Sequence, residues 1–143
     1  VGEADGGTVE TVVAGEGGSV YAAGSLGVSS GSYRQVAYIC KYTSTGDIAW
    51  QQPLGGGDID IVSSAAVGSD GSAYVGGTIT VANSALAFIA KFSSVGTMIW
   101  HRFITIGANV TVRAVAALND SAVFVAGAFA GSTTADDKDA FVA

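Results

Sequence analysis

The sequence predicts an all-β chain built from repeated four-stranded antiparallel sheets. Two hairpin units alternate along its 143 residues, each unit recurs in register, and glycine-containing turns separate short apolar runs. Valine and aromatic residues favour strands, and glycine at the turns adopts conformations that other residues avoid. Because self-similarity at a fixed period is the signature of a repeat architecture, the repeat decides the fold class.

The clearest repeat pairs residues 37–50 with residues 87–100, without gaps and with six of fourteen positions identical. A third copy begins at Asp139. In the first two copies, apolar runs flank a turn at Gly46 or Gly96. Two apolar runs joined by a short glycine turn predict a hairpin.

A second unit recurs three times, at residues 9–25, 62–78 and 112–128. In each copy an apolar strand leads into a turn and then into a strand centred on a tyrosine or phenylalanine. This pattern predicts another hairpin. Each period of about 50 residues therefore contains two hairpins, and so four antiparallel strands.

Four antiparallel strands per repeat is the composition of a β-propeller blade. We expect residues 1–143 to form one partial β-propeller, with blade one at about 9–54, blade two at about 59–104 and an incomplete blade three at about 109–143. Together these make about two and three-quarter blades. Because open sheet edges and faces invite association, further blades or another chain are expected to close the fold.

Three sets of residues carry a resemblance to a known family, and they recur in register. They are Asp139-Ala-Phe-Val-Ala, then Ala87-Phe-Ile-Ala-Lys-Phe with Gly96 and Trp100, and Asp70-Gly71 before Tyr74-Val-Gly-Gly. The repeat resembles the SBBP type of β-propeller repeat, and its hairpin-and-glycine layout is similar to that of kelch repeats. The resemblance covers nearly the whole chain and implies a propeller of about six to eight blades in exported or cell-surface proteins.

Charge is sparse and negative. Charged residues make up 13% of the chain, the net charge is −6, and the six Lys and Arg residues occur singly. Contacts with phosphate backbones or anionic lipids need clustered basic residues. No apolar run approaches the roughly 18 residues of a transmembrane helix. We therefore expect neither a nucleic-acid partner nor membrane insertion.

The sequence assigns no catalytic, cofactor-binding or metal-binding residue. His101 is the single histidine, so neither a catalytic triad nor a multi-histidine metal site can be assembled around it, and we expect it on a strand surface. Cys40 is the single cysteine and is expected to be a small buried residue. Trp50 and Trp100 occupy the same place in successive repeats, which favours packing between blades over a sugar-stacking platform.

Acidic residues concentrate in the connections that we expect on one face of the blades. Ca²⁺ prefers carboxylate and carbonyl oxygens, so a Ca²⁺ site at Asp58 and Asp60 is the alternative to solubilising loop charge. No EF-hand spacing is present, which favours the second interpretation. Asn109 and Asn119 begin the sequons Asn-Val-Thr and Asn-Asp-Ser, which we expect in connections between strands. They are candidate glycan acceptors if the chain passes through a glycosylating secretory route.

The connections between the second and third strands, at about 26–35, 79–86 and 129–138, differ in length and content and are predicted to be exposed loops. Recognition surfaces use aromatic and arginine anchors among small adaptable residues. The residues expected on the partner-facing side are therefore Tyr33, Arg34, Asp136, Asp137 and Asp139.

The preferred function is a non-enzymatic extracellular or cell-surface module, structural or recognition in role, that binds a protein or glycan partner through these loops. Two alternatives stay open: a propeller lyase or hydrolase acting on an extracellular polymer, and a segment of an extracellular filament or sheath subunit. An enzyme would need acid, base or metal-ligand residues that break the repeat. The divergent positions here are mostly small and neutral.

Overall fold

The computed structural model describes residues 4–29, 33–55, 60–81, 84–106, 108–119, 122–130 and 138–142. Within these ranges the chain forms strands and a single 3₁₀ turn at Glu16–Gly18. The strands are β1 (Ala4–Ala14), β2 (Val20–Ser29), β3 (Tyr33–Tyr42), β4 (Ile48–Leu54), β5 (Asp60–Val67), β6 (Ala73–Val81), β7 (Ser84–Phe92), β8 (Met98–Ile104), β9 (Ala108–Asn119), β10 (Ala122–Ala130) and β11 (Lys138–Val142). No helix in the described part of the chain is long and apolar enough to cross a membrane.

The strands form three antiparallel sheets in which neighbours in sequence are neighbours in space. The first sheet has the order β1-β2-β3-β4, the second sheet β5-β6-β7-β8, and the third sheet β9-β10-β11. The predictions of an all-β chain and of four-stranded antiparallel sheets are confirmed. Each sheet is a simple meander, because each strand pairs antiparallel with the strand that follows it in the same sheet.

The turns between third and fourth strands have the same backbone geometry in the first two sheets. The amide of Gly46 donates to the carbonyl of Thr43, and the amide of Gly96 donates to the carbonyl of Ser93, both at 3.0 Å. Both glycines have a positive φ, of 89° and 88°. Side chains with a Cβ rarely adopt this conformation, which explains why glycine recurs at these turns.

A β-bulge recurs in the first strand of each sheet, opposite a glycine of the second strand. The strand register shifts beside Gly24, Gly77 and Gly127. A β-carbon added to Gly24 would collide with the carbonyl oxygen of Thr8, and one added to Gly77 would collide with that of Ile61. The bulge therefore requires a residue without a side chain in the first two sheets.

The second sheet lies between the first and third sheets, and its two middle strands, β6 and β7, are buried on both faces. Along β7, alternate residues point to opposite faces, so Phe88 and Ala90 pack toward the first sheet while Ala87 and Ile89 pack toward the third. The first interface buries Tyr21, Ala23, Ala37, Ile39 and Leu54 of the first sheet against Val62, Ala65, Ala73, Val75, Phe88, Ala90 and Phe92 of the second. The second interface buries Tyr74, Ala87 and Ile89 against Val110, Val112, Val115 and Val125 of the third sheet.

The sheets follow one another by the same contact scheme. Strand β5 contacts β1, β2 and β3, and strand β9 contacts β5, β6 and β7. The first strand of each later sheet thus lies against three strands of the sheet before it. The repeat in sequence is therefore a repeat in packing as well.

The connections between second and third strands are shorter than the sequence predicted. Pairing continues to Ser29 opposite Tyr33 in the first sheet and to Val81 opposite Ser84 in the second. Tyr33 and Arg34 are therefore the first residues of β3 and not part of a long loop. The backbone ladder extends over residues whose glycine and serine content is typical of a loop. The third of these connections, at 131–137, lies outside the described residues.

Candidate functional site

Three polar contacts cross the first interface at the end of the sheets that carries the tight turns. The Tyr21 hydroxyl donates to the carbonyl of Gly71 at 2.7 Å. The Lys41 ammonium and the Trp50 indole both donate to the carbonyl of Ser94, at 3.1 and 3.0 Å. We call these five residues the cross-sheet latch. Because its acceptors are turn carbonyls of the second sheet, the latch fixes how the first sheet sits on the second.

Aromatic packing surrounds the latch. The Trp50 ring meets Tyr21 edge to face, with centroids 5.8 Å apart, and stacks on Phe92 at 6.3 Å. The Lys41 ammonium lies 5.1 Å from the centre of the Tyr21 ring. Trp50 also lies directly over Gly96, where an added β-carbon would be 2.7 Å from the indole. Trp50 therefore packs between sheets, as the repeat predicted, and is not a free sugar-stacking platform.

The second interface repeats the aromatic and cationic part of this arrangement. The Tyr74 and Trp100 rings are 6.1 Å apart, and the Lys91 ammonium lies 5.1 Å from the Tyr74 ring centre. The Arg102 guanidinium lies 5.6 Å from the Trp100 ring centre. Trp100 also lines an open groove of about 580 Å³ whose walls include Ile104 and residues of β10. Trp100 thus contacts the neighbouring ring and also borders this groove.

Asp70 shapes the turn that supplies a latch acceptor. Its carboxylate accepts hydrogen bonds from the Ser72 amide at 2.8 Å and the Ser72 hydroxyl at 2.7 Å, and the Lys91 ammonium lies 3.5 Å away. The hydrogen bonds from Ser72, helped by the charge of Lys91, hold the pKa of Asp70 below its usual value. The pKa of Lys91 is raised, chiefly by its interaction with Tyr74 and also by Asp70.

We expect Asp70 to make the folded chain more sensitive to acid. A carboxyl whose pKa is lowered by folding stabilises the fold above its unfolded pKa, and that contribution is lost as the pH falls through the folded pKa. Asp70→Asn should therefore flatten the acid limb of a plot of unfolding free energy against pH. Since the Asp70 side chain is partly exposed, the variant should lose at most about 1 kcal/mol of unfolding free energy near neutral pH. Urea unfolding across the acidic range measures this, and identical pH slopes in variant and parent would contradict it.

The structure describes only some of the predicted partner-facing residues. Arg34 is half-buried in β3, where it pairs with Val28. Asp139 pairs with Phe129 through the backbone of β11. The side chains of Tyr33 and Asp139 lie outside the described part of the structure, as do Asp136 and Asp137 entirely. The starts of β3 and β11 both lie at the end of their sheets opposite the tight turns.

Both sequon asparagines lie in β9 and not in connections. Asn109 is the second residue of that strand, is exposed, and has a positive φ of 50°. Asparagine tolerates this conformation better than most residues. Thr111, the third residue of the first sequon, donates to the Ala128 carbonyl at 3.3 Å. Asn119 ends the strand, and its side chain is not among those described.

The structure places Asp60 differently from a solubilising loop charge. Asp60 is the first residue of β5 and is fully buried, and its carboxylate lies against Gly55, where a β-carbon would collide with it. Asp58 lies outside the described residues. Among the residues that the structure describes, no group of three or more His, Cys, Asp or Glu is placed to hold a metal. The Ca²⁺ site remains the less favoured alternative that the sequence left open, and no described contact supports it.

The other singled-out residues are where the sequence placed them. His101 is exposed on β8 and meets Phe103 edge to face, with ring centroids 5.6 Å apart. Cys40 is buried, and burial raises the pKa of its thiol. A thiol with a raised pKa is a poor nucleophile near neutral pH. Neither residue is assembled with partners into a recognisable catalytic set in the described ranges.

The latch was missed by the sequence reasoning. A signal for it was present, because Lys41 and Lys91 recur at one position inside apolar strands, where lysine is unusual, and Tyr21 and Tyr74 recur likewise. The latch and the aromatic and cationic contacts around it hold neighbouring sheets together, which is a structural role. No protein-family model matches the chain, and no curated protein matches it either.

Proposed function

We propose that the chain is a portion of an SBBP-like β-propeller that serves as a non-enzymatic extracellular module with a structural or recognition role. The observation that carries the proposal is the repeated stacking of antiparallel meanders in chain order, each first strand lying against three strands of the preceding sheet. Successive four-stranded meanders packed face to face are the building plan of a propeller. The recurrence of the Tyr-Lys-Trp set at both interfaces supports the same arrangement.

A recognition role is supported by how the chain divides into scaffold and variable ends. The strands and tight turns use the same residue types in each repeat, and the latch holds them in a fixed arrangement. The hairpin ends near Tyr33 and Asp139 differ between sheets in length and content. Variable segments carried on a rigid frame are the usual place of binding residues. The negative net charge favours a protein or neutral glycan partner over a polyanion.

The test replaces both Tyr33 and Arg34 with Ala and measures binding to arrays of extracellular glycans and of cell-surface proteins. The expected result is at least about a tenfold loss of affinity for the partner that the parent chain binds, equivalent to about 1.4 kcal/mol. Thr45→Ala, in an exposed turn at the opposite end of the sheets, is the matched control and should bind like the parent.

Three outcomes would count against the recognition surface. Unchanged binding in the double variant would remove Tyr33 and Arg34 from it. An equal loss in the Thr45 variant would show that the effect is not local. A large fall in thermal stability of the double variant would show instead that the start of β3 packs into the fold.

A further inference from the structure

One face of the first sheet is uncovered by any part of the chain that the structure describes. It is apolar, and Val9 and Val12 on it are 57% and 61% exposed. The same face carries a groove of about 430 Å³ in which Tyr38, Cys40 and Tyr42 form part of the wall. We call this surface the outer face of the first sheet. The residues that define it are Val9, Val12, Leu26, Tyr38, Cys40 and Tyr42, of which Cys40 is itself buried.

The repeat shows what normally covers such a face. In the second sheet, Val62 and Ala65 stand at the positions of Val9 and Val12, and they are only 0% and 7% exposed. Likewise Phe88, Ala90 and Phe92 stand where the first sheet has Tyr38, Cys40 and Tyr42. All five residues of the second sheet are buried against the first sheet. The outer face of the first sheet therefore has the composition of a surface that another sheet covers.

The opposite end of the stack carries the complementary surface. On the second interface, Tyr74 is 2% exposed because the third sheet covers it. The corresponding residue of the third sheet is Phe124, which is 47% exposed. The side of the third sheet that bears Phe124 is thus equivalent to the sides of the first and second sheets that the following sheet covers. The two ends of the stack match each other as the two sides of each internal interface do.

We propose that the outer face of the first sheet binds the Phe124 side of the third sheet in a second copy of this chain, head to tail. The occupant is specified because the same pair of faces meets twice within one chain. The inference rests on the stacking of sheets used for the proposed function, and it does not depend on the recognition role of Tyr33 and Arg34. A head-to-tail interface uses two different surfaces, so it closes into a ring or grows into a filament.

The charges on the two strands that would meet between copies are consistent with head-to-tail stacking. Glu10, Ser63 and Arg113 occupy the same bulge position in β1, β5 and β9. First strands of successive sheets contact one another within the chain. In a head-to-tail stack β9 of one copy therefore contacts β1 of the next, and these strands carry Arg113 and Glu10, which are both exposed in the single chain. Opposite charges at the rim of an interface favour the correct pairing and its rate of formation.

The association should be weaker than the internal contacts. At the first interface the Tyr21 hydroxyl donates to Gly71. Phe124 stands at the position of Tyr21 and has no hydroxyl to donate. The contact between copies consequently lacks that hydrogen bond. It should form and dissociate with protein concentration and not be permanent.

The test measures the mass of the 143-residue chain in solution by sedimentation over a wide concentration range, for the parent and for Val12→Glu and Phe124→Glu. Both substitutions are at exposed positions, so each chain should still fold, which circular dichroism checks. The parent should associate, and each variant alone should be monomeric. An equal mixture of the two variants should form a one-to-one dimer and grow no further, because only one intact pair of faces remains. Val95→Glu, 75% exposed in a turn, should associate like the parent.

A second set of variants tests the proposed charge pair between copies, Glu10 and Arg113. Glu10→Arg and Arg113→Glu should each weaken association, and the chain carrying both should recover it. A parent chain that is monomeric at every concentration would overturn the proposal. So would a dimer that Val12→Glu abolishes and Phe124→Glu leaves intact, since that result would mean two first sheets packed against each other. Aggregation that neither substitution changes would also overturn it.

Discussion

Replacing Trp50 with Ala should lower the free energy of unfolding by about 3 to 5 kcal/mol, the range for removing a large packed aromatic side chain. The indole lies between Tyr21 and Phe92, and its nitrogen donates to the Ser94 carbonyl. The substitution therefore opens a cavity in the first interface and leaves the turn carbonyl with one donor fewer. Because the indole joins two sheets, the first sheet should separate from the second before either sheet loses its own strand pairing.

Two further variants test the reasons for this loss, one at Trp50 itself and one at Trp100 in the second interface. Trp50→Phe keeps an aromatic ring but removes the indole donor. Beyond the free energy lost by packing a smaller ring, it should lower the free energy of unfolding by about another 1 kcal/mol, for the lost hydrogen bond to Ser94. The repeat by itself predicts an equal loss for Trp100→Ala. We expect a smaller one, because Trp100 lines an open groove and its ring faces the guanidinium of the exposed Arg102. Urea unfolding followed by circular dichroism, at concentrations where the chain is monomeric, gives all three values. If Trp50→Ala and Trp100→Ala lost equal free energies of unfolding, the groove beside Trp100 would not reduce the contribution of that residue to stability.

Much of the fold was predictable because it is local. Apolar runs on either side of short turns indicate hairpins, and turn glycines such as Gly46 and Gly96 have the positive φ that such turns require. The packing of Trp50 was predictable from its recurrence, since a repeated large residue is most simply explained by a repeated contact. In these cases the information lies within a few residues of the position concerned.

Other features depend on partners far away in sequence, and composition alone does not show them. The residues between Leu26 and Gln35 have the composition of a loop, yet a backbone ladder pairs most of them across the hairpin, and backbone pairing leaves little trace in side-chain identity. The sequence predicts a loop charge at Asp60, although this residue is buried against the backbone of Gly55. The acceptors of the latch are main-chain carbonyls, which every residue possesses.

The candidate binding surface was predicted only as a set of residues, not as an arrangement. Tyr33 and Arg34 lie in a strand and not in a loop, so the backbone spacing between them is fixed by the pairing of β3 with β2. The sequence alone does not show that pairing.

Gly77→Ala should destabilise the chain by about 3 kcal/mol, at the upper end of the usual cost of overpacking a core. Residue 77 lies opposite the bulge in β5, where an added β-carbon would collide with the Ile61 carbonyl oxygen and lie 3.0 Å from the Phe88 ring. The backbone atom cannot move away without breaking the pairing of β5 with β6, and the Phe88 ring is held in the first interface. Both obstacles therefore remain, and the bulge itself must distort.

Two matched variants show whether the collision or the mere loss of glycine is responsible. Gly24→Ala meets the same kind of obstacle at the Thr8 carbonyl and should cost as much as Gly77→Ala. Gly17→Ala has open space around the added carbon but a positive φ of 64°, so it should cost only about 1 kcal/mol, for backbone strain alone. Thermal and urea unfolding of the three variants compares them directly. If all three lost the same free energy, the close approach of the two strands at the bulge would not be the reason why glycine stands at positions 24 and 77.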